Sequence, residues 1–268
     1  MSRRLDRRRF LEQSSVASVL ALGAYAGFAH GQESKSANEK IHVGVMGVNG
    51  RGGALAAGFS AMAGADVSYV CDVDTRALGR SVEAIGGKQG RKPESTGDFR
   101  KMLDSKDVDV LVVAAPDHWH APATILGCAA GKHVYCEKPA SHNPREGELA
   151  TAAARKYDRV VQLGTQRRSW PGLMEAVEKM QAGAIGRTLF ARCWYNNRRP
   201  SIGHGKAAPV PEWLDYTLWQ GPAPETEFRD NILHYNWHWF WNWGTGELGN
   251  NGIHALDVCR WGMGLDYP

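Results

Sequence analysis

Residues 41–53 read IHVGVMGVNGRGG, and the reading of this stretch decides the fold. Ile41 to Val48 is a short apolar run rich in β-branched residues, as suits a strand buried on both faces. It gives way at once to Gly47, Asn49, Gly50, Arg51 and Gly52, and then to an alanine-rich stretch of helical character. Strand, glycine turn and helix in that order form the cradle in which a parallel α/β domain holds a pyrophosphate against a helix N-terminus. One position departs from the usual spacing, because Asn49 stands where the middle glycine of the fingerprint belongs. Asparagine tolerates a left-handed backbone better than other side chains, and Gly50 and Gly52 still leave room for a pyrophosphate. Asp72 lies twenty residues past Gly52 at the end of the next apolar run. A carboxylate there accepts hydrogen bonds from a ribose diol and repels a 2′-phosphate. NAD is therefore the expected cofactor, and Arg76 nearby keeps NADP as the alternative.

Outward from this stretch the chain alternates. Strand-like runs at Asp66 to Cys71, Val108 to Ala114, His133 to Cys136 and Val160 to Leu163 are separated by helical patterns at Ala54 to Met62, Thr75 to Ile85, Ala121 to Ala130 and Pro144 to Lys156. Short apolar strands divided by longer helices imply right-handed βαβ units and an α/β fold, a Rossmann-type doubly wound parallel sheet over residues 41–164. Ligands of such sheets bind at the carboxyl ends of the strands, which is where Gly47, Asp72, Pro116 and Glu137 fall. Residues 165–268 are expected to form a second, α+β domain with an open, mainly antiparallel sheet, to which Thr188 to Tyr195 contributes a strand.

The N-terminus reads differently. Asp6, Arg7, Arg8, Arg9, Phe10 and Leu11 form a twin-arginine signature, followed by a weakly apolar segment from Val16 to Phe28 and small residues at Ala29 to Gly31. Residues 1–31 are thus expected to be a Tat export signal and 32–40 a polar linker, which predicts a periplasmic or otherwise exported protein. No stable membrane span is expected once the signal is removed. Without residues 1–31 the chain carries 27 basic and 26 acidic residues, a balance of +1, so the basic character belongs to the signal and no nucleic-acid surface is implied. Five cysteines occur without a CxxC pair, which points to buried thiols and no metal site.

Two further motifs carry chemistry. Pro116, Asp117, His118, Trp119 and His120 follow the third strand-like run, where they are expected to open a helix beside the crevice, with Asp117 capping it and the aromatic side chains contacting the cofactor. Glu137, Lys138 and Pro139 end the next strand-like run. Together with the glycine turn, Gly164 to Gln166, the stretch PEWLDYTLWQGPAP at 211–224 and Gly252 to Trp261, they make the chain resemble the glucose-fructose oxidoreductase, inositol dehydrogenase and MocA-type family of nicotinamide-dependent enzymes. The resemblance covers nearly everything after the linker. It implies that Lys138 lies between nicotinamide and substrate, with Pro139 after a cis peptide, and that Glu137 and Gln166 belong to the cofactor site. Family members continue well beyond the helix around Ala255 to Trp261, so the sequence is expected to be a fragment of a longer protein that forms a homo-oligomer.

A lysine suits that place. Alcohol oxidation needs a group that takes the hydroxyl proton while hydride leaves carbon, and desolvation depresses a lysine far enough to do so. The family's dehydrogenases carry Asp-x-Gly-x-His at the start of a later helix, whereas this chain reads Asn250, Asn251, Gly252, Ile253, His254. Asn250 orients a hydroxyl but accepts no proton, which leaves His254 as the partner acid or base of Lys138. Asp257 either orients His254 or pairs on the helix surface. The aromatic density at 237–243 and the polar run Asn196 to Arg199 suit a carbohydrate or polyol, with Arg198, Tyr235, Trp237, Asn250 and His254 as its contacts. The leading expectation is an exported NAD(P)-dependent oxidoreductase acting on a sugar, polyol or glycoside carbinol. Beside it stand a glycoside hydrolase or lyase with tightly bound, recycled NAD, and a noncatalytic sugar- or cofactor-binding protein.

Overall fold

A computed structural model describes residues 40–196 and 198–266. The expected export signal, all of the linker before Lys40, and Asn197 lie outside the described residues. In chain order the first part contains β1 (Ile41–Met46), α1 (Arg51–Phe59), β2 (Ala65–Cys71), α2 (Thr75–Gln89), β3 (Glu94–Thr96), α3 (Phe99–Leu103), β4 (Val110–Val113), α4 (Asp117–Ala129), β5 (His133–Glu137), α5 (Pro144–Lys156) and β6 (Val161–Gly164). The strands form one six-stranded sheet in the order β3-β2-β1-β4-β5-β6, and every pair is parallel. The order reverses between β1 and β4, and the crevice of a doubly wound sheet opens at that switch point.

Alternation along the strands fills two cores. Val43, Val45, Val67, Val70 and Val112 face one layer with Ile85 of α2. Leu111, Val113 and Val134 face the other with Met102 of α3 and Cys128 of α4. Because both faces are covered, the strands read as continuous apolar runs rather than alternating ones. Two short elements, β3 and α3, had no periodic signal long enough to announce them. Helix α4 also begins earlier than its apolar period suggests, and it carries Pro122 in its second turn.

The second part contains α6 (Pro171–Gln181), α7 (Tyr216–Gln220) and α8 (Ile253–Met263), the last preceded by one wide helical turn at Leu248–Gly252. Its core is an aromatic cluster of Leu214, Tyr216, Trp219, Phe228, Ile232 and Trp243. The strand expected at Thr188 to Tyr195 is not formed, and Leu189, Phe190 and Trp194 are each at least 75% exposed. A strand exists only through pairing, and among the described residues this part makes no sheet, only the isolated antiparallel bridges Asp74↔Leu214 and Ala207↔Arg229.

Candidate active site

The glycine turn joins β1 to α1 with a close approach of backbone to backbone. A Cβ at Gly52 would lie 1.6 Å from the Gly47 carbonyl oxygen, so only glycine packs there. The positive φ angles fall at Gly47 and Gly50, not at Asn49, which corrects the role expected of the asparagine. Above Gly50 there is open space, and the first turn of α1 has neither a side-chain cap nor an acidic residue. Its orphan N–H groups therefore face the crevice with the positive end of the helix dipole, a cradle that fits a pyrophosphate. Asp72 braces the turn from β2. Its carboxylate accepts the Val48 N–H at 2.8 Å and the Asp74 N–H at 2.9 Å, and burial pushes its pKa up. Each oxygen keeps a lone pair for a ribose hydroxyl. A cavity of about 910 Å³ lies between this carboxylate and the segment 208–228, with Thr75, Gly97, Trp213, Tyr216 and Phe228 among its walls.

Arg76 is engaged elsewhere than expected. Its guanidinium binds the Asp74 carboxylate and lies 3.4 Å from the centre of the Trp213 ring, so the structure gives it to the joint with the second part rather than to a nucleotide. The buried Asp74 also caps α2 and accepts a hydrogen bond from His234 Nε2 at 2.9 Å. Burial raises its pKa, but the bonds from Arg76 and His234 prevail and hold it at about 2.

The first turn of α4 requires the largest correction. Asp117 does not cap the helix; its Oδ2 accepts the Thr245 N–H and hydroxyl at 3.1 and 2.6 Å. His118 is buried between the carbonyls of Trp219 and Trp243, at 3.1 and 3.4 Å, and burial lowers it to about 4. Trp119 donates its indole N–H to the same Trp219 carbonyl and packs edge-on to Phe99. His120 sits between the carbonyls of Ala115 and Pro139. These four side chains, expected at the cofactor, are held instead by protein partners. Their partners at Thr245, Trp219, Trp243 and Pro139 lie far along the chain, where local periodicity does not place them. Pro116 precedes this turn, half-buried.

At the end of β5 the chemistry gathers. Glu137 is buried and accepts from Arg51 Nε at 2.8 Å, so the glycine turn and the strand carrying Lys138 are linked across the crevice. The Lys138–Pro139 peptide is cis, as the resemblance implies. Lys138 Nζ donates to the Asn250 backbone carbonyl at 2.9 Å and to its Oδ1 at 3.3 Å, and Asn250 Nδ2 in turn donates to the Tyr235 hydroxyl at 3.1 Å. Burial lowers the lysine from its ordinary value. His254 follows on the first turn of α8, lowered first by burial and then by the charges of Lys138 and Arg167. Lys138, Asn250 and Tyr235 thus form one hydrogen-bonded chain, with His254 near enough to feel the charge of Lys138. Asp257 pairs with Arg168 and takes no part in orienting His254. Gln166 lies exposed just beyond β6.

Two expected substrate contacts sit elsewhere. Arg198 is exposed, and the neighbouring Arg199 supplies the guanidinium of the rim, bonded to Glu247 at 2.8 Å and lying over Tyr235 and Trp239. Burial raises Glu247, but bonds from Arg199 and Asn251 outweigh it and lower its pKa. Trp237 stacks on His238 with ring centres 3.6 Å apart and packs against the aromatic cluster. Among the described residues no cluster of His, Cys, Asp or Glu is arranged for a metal ion, and no helix is long and apolar enough to cross a membrane.

The glycine cradle and the lysine one residue past β5 meet in comparison with known proteins. Residues 41–165 match the family model described as the oxidoreductase family, NAD-binding Rossmann fold, GFO_IDH_MocA, and residues 193–267 match its C-terminal alpha/beta domain. The chain belongs to the Gfo/Idh/MocA oxidoreductase family. Its first domain is an NAD-binding domain. A protein of Shewanella sp. (strain ANA-3) named glycosyl hydrolase family 109 protein 2 is 36% identical over 152 residues, 50% of this chain and 33% of that protein. An inositol 2-dehydrogenase of Rubrobacter xylanophilus is 32% identical over 60% of this chain and 45% of its own length. The chain therefore spans less than half the length of these curated relatives. A levoglucosan dehydrogenase solved in complex with NADH shares the fold, with a TM-score of 0.61 at 22% identity over 83% of this chain and 53% of that one.

Proposed function

We propose that this chain carries the reacting centre of an NAD-dependent oxidoreductase for a CH–OH group of a sugar, polyol or glycoside. The carrying observation is Lys138 Nζ, partly desolvated and held on Asn250 just past the carboxyl end of β5. NAD, when bound, supplies the hydride acceptor. The chain's own residues manage everything else. Burial favours the neutral amine of Lys138, which takes the hydroxyl proton as the carbinol carbon is oxidised. Asn250 fixes the amine and, through its Nδ2, the Tyr235 hydroxyl, so two polar groups of defined direction face one substrate. His254, biased toward its neutral form, is the second group able to accept a proton. Tyr235 and Trp239 offer ring faces under Arg199, a combination that suits the CH patches and hydroxyls of carbohydrates. The names of the inositol and levoglucosan dehydrogenases support that substrate class. The twin-arginine signature at Arg7 and Arg8 supports export of the folded protein through the Tat route, with the periplasm as the destination.

A second reading keeps the same site and recycles the cofactor, oxidising a glycoside transiently so that bond cleavage follows. The asparagine at position 250 and the relatives named as family 109 glycosyl hydrolases favour it. One experiment separates the two. The natural full-length protein is purified, its nucleotide released by denaturation and identified, and inositols, levoglucosan and aryl glycosides are offered with and without added NAD. Net NADH formation that Lys138→Met lowers by about a thousandfold or more supports the dehydrogenase. Glycoside cleavage without net reduction, on retained NAD, supports the second reading. A protein that binds no dinucleotide sinks both.

A further inference from the structure

His120 is buried, and its two ring nitrogens both face backbone carbonyl oxygens, Nδ1 to Pro139 at 2.5 Å and Nε2 to Ala115 at 2.9 Å. A neutral imidazole has one N–H and one lone pair, so in either tautomer one carbonyl would meet a lone pair at hydrogen-bond distance, and with the ring flipped Cδ2 and Cε1 would face the carbonyls closer than the about 3.3–3.6 Å of a C–H···O contact. Only the imidazolium donates to both. The two carbonyls belong to different segments. Ala115 follows β4 and lines the crevice at the topological switch, and Pro139 follows Lys138 directly.

From this geometry we infer that His120 is a permanent buried imidazolium, a positioning residue that staples the loop after β4 to the turn after β5 and so places Lys138 Nζ on Asn250. The inference rests on Lys138 as the group at the reacting carbon. His118, one turn face away, shows the contrast. It too lies between two carbonyls, but at 3.1 and 3.4 Å, where one bond and one loose contact suffice for the neutral ring that burial enforces. For His120 burial also opposes the charge, yet Cys136, Asp117 and the Pro139 carbonyl outweigh it and lift the pKa to about 10. The titratable groups around the ring are Asp117 and His118 on its own helix, Cys136 on β5 and Lys138 one residue before Pro139. A cation fixed without a bonded carboxylate is held by oriented dipoles, and those dipoles are the two carbonyls it positions.

The test reads protonation and position separately from turnover. In histidine-labelled full-length protein, the His120 ring nitrogens, assigned by their loss in His120→Gln, are expected to stay at imidazolium shifts from pH 6 to 8.5. A neutral or titrating signal in that range overturns the inference, whether or not any substrate turns over. In parallel, the Lys138 pKa is read by NMR of the dimethylated amine in the wild type, His120→Gln and His120→Ala. Moved from its half-buried place toward water, the amine is expected to rise by about one pH unit in His120→Ala, with partial return in His120→Gln, and kcat for an accepted substrate to fall about tenfold while the NAD dissociation constant changes less than threefold. An unchanged Lys138 pKa in both folded variants overturns the positioning role. Failure of the proposed function would instead show as intact imidazolium signals in a protein that oxidises nothing.

Discussion

The two halves of the molecule are held together by different physics. In residues 41–164 every strand is completed by backbone hydrogen bonds to parallel neighbours, and side chains such as Val45, Val67 and Val112 are wholly buried. In residues 208–243 there is no ladder, and order comes from stacked rings and a few polar ties to the first half. Trp219 touches Tyr216, Trp243 and His118, and its carbonyl accepts from both His118 and Trp119. The difference teaches that the cofactor half owns its order, whereas the second half borrows much of its order through the first turn of α4 and through Asp74.

The sharpest way to break that contrast is Trp219→Ala. Removing a buried tryptophan costs about 3–5 kcal/mol, and hydrogen exchange should show lost protection across 208–243 with the β1–β6 amides little changed. Equal loss in the sheet would make the halves one cooperative unit and end the distinction. Asp117→Ala, which leaves Thr245 N–H and hydroxyl without their acceptor, is expected to cost about 2–3 kcal/mol by denaturant titration, again concentrated in the second half. Acid probes the other tie. Asp74 is held at about 2 in the fold against an ordinary 3.8, so its contribution is present above pH 4 and is lost as pH falls toward 2. That loss amounts to roughly 2 kcal/mol, and Asp74→Asn should flatten the stability profile across this window. The mildest change sharpens the comparison at the site itself. Asn250→Asp sets a carboxylate beside Lys138, raises its pKa, and should move the acid limb of kcat/KM upward by about one pH unit while NAD affinity stays constant. An unmoved limb would mean that Lys138 is not the ionising group.

The same division explains what could be read in the sequence. The strand at Ile41, the glycine turn and the helices at Thr75 and Pro144 were legible because local period and turn chemistry specify them. Lys138, Asn250 and His254 were legible through the resemblance to the family, which sets these positions beside one another where local pattern alone would not. Thr188 to Tyr195 was not, since its β-branched and aromatic residues show strand propensity while pairing partners decide whether a strand forms. The histidines beside Trp119 misled for a related reason. Their side chains are claimed by carbonyls of Trp219, Trp243 and Pro139, more than fifteen residues away in sequence in each case, and no local pattern encodes such contacts. Arg199 was one residue from the position expected, and only the location of Glu247 distinguishes it from Arg198.

One helical turn, residues 117–120, bonds to Thr245, Trp219, Trp243, Ala115 and Pro139 at once. Such a shared turn denies the two halves a clam-shell motion, since any swing would break several bonds together. Under the proposed function, passage of a sugar or polyol would fall to the rim, where the partly exposed Arg199–Glu247 pair stands over Tyr235 and Trp239. Exit would then be gated by the reorientation of a few surface side chains, which exposed groups complete in nanoseconds, rather than by the slower travel of a domain.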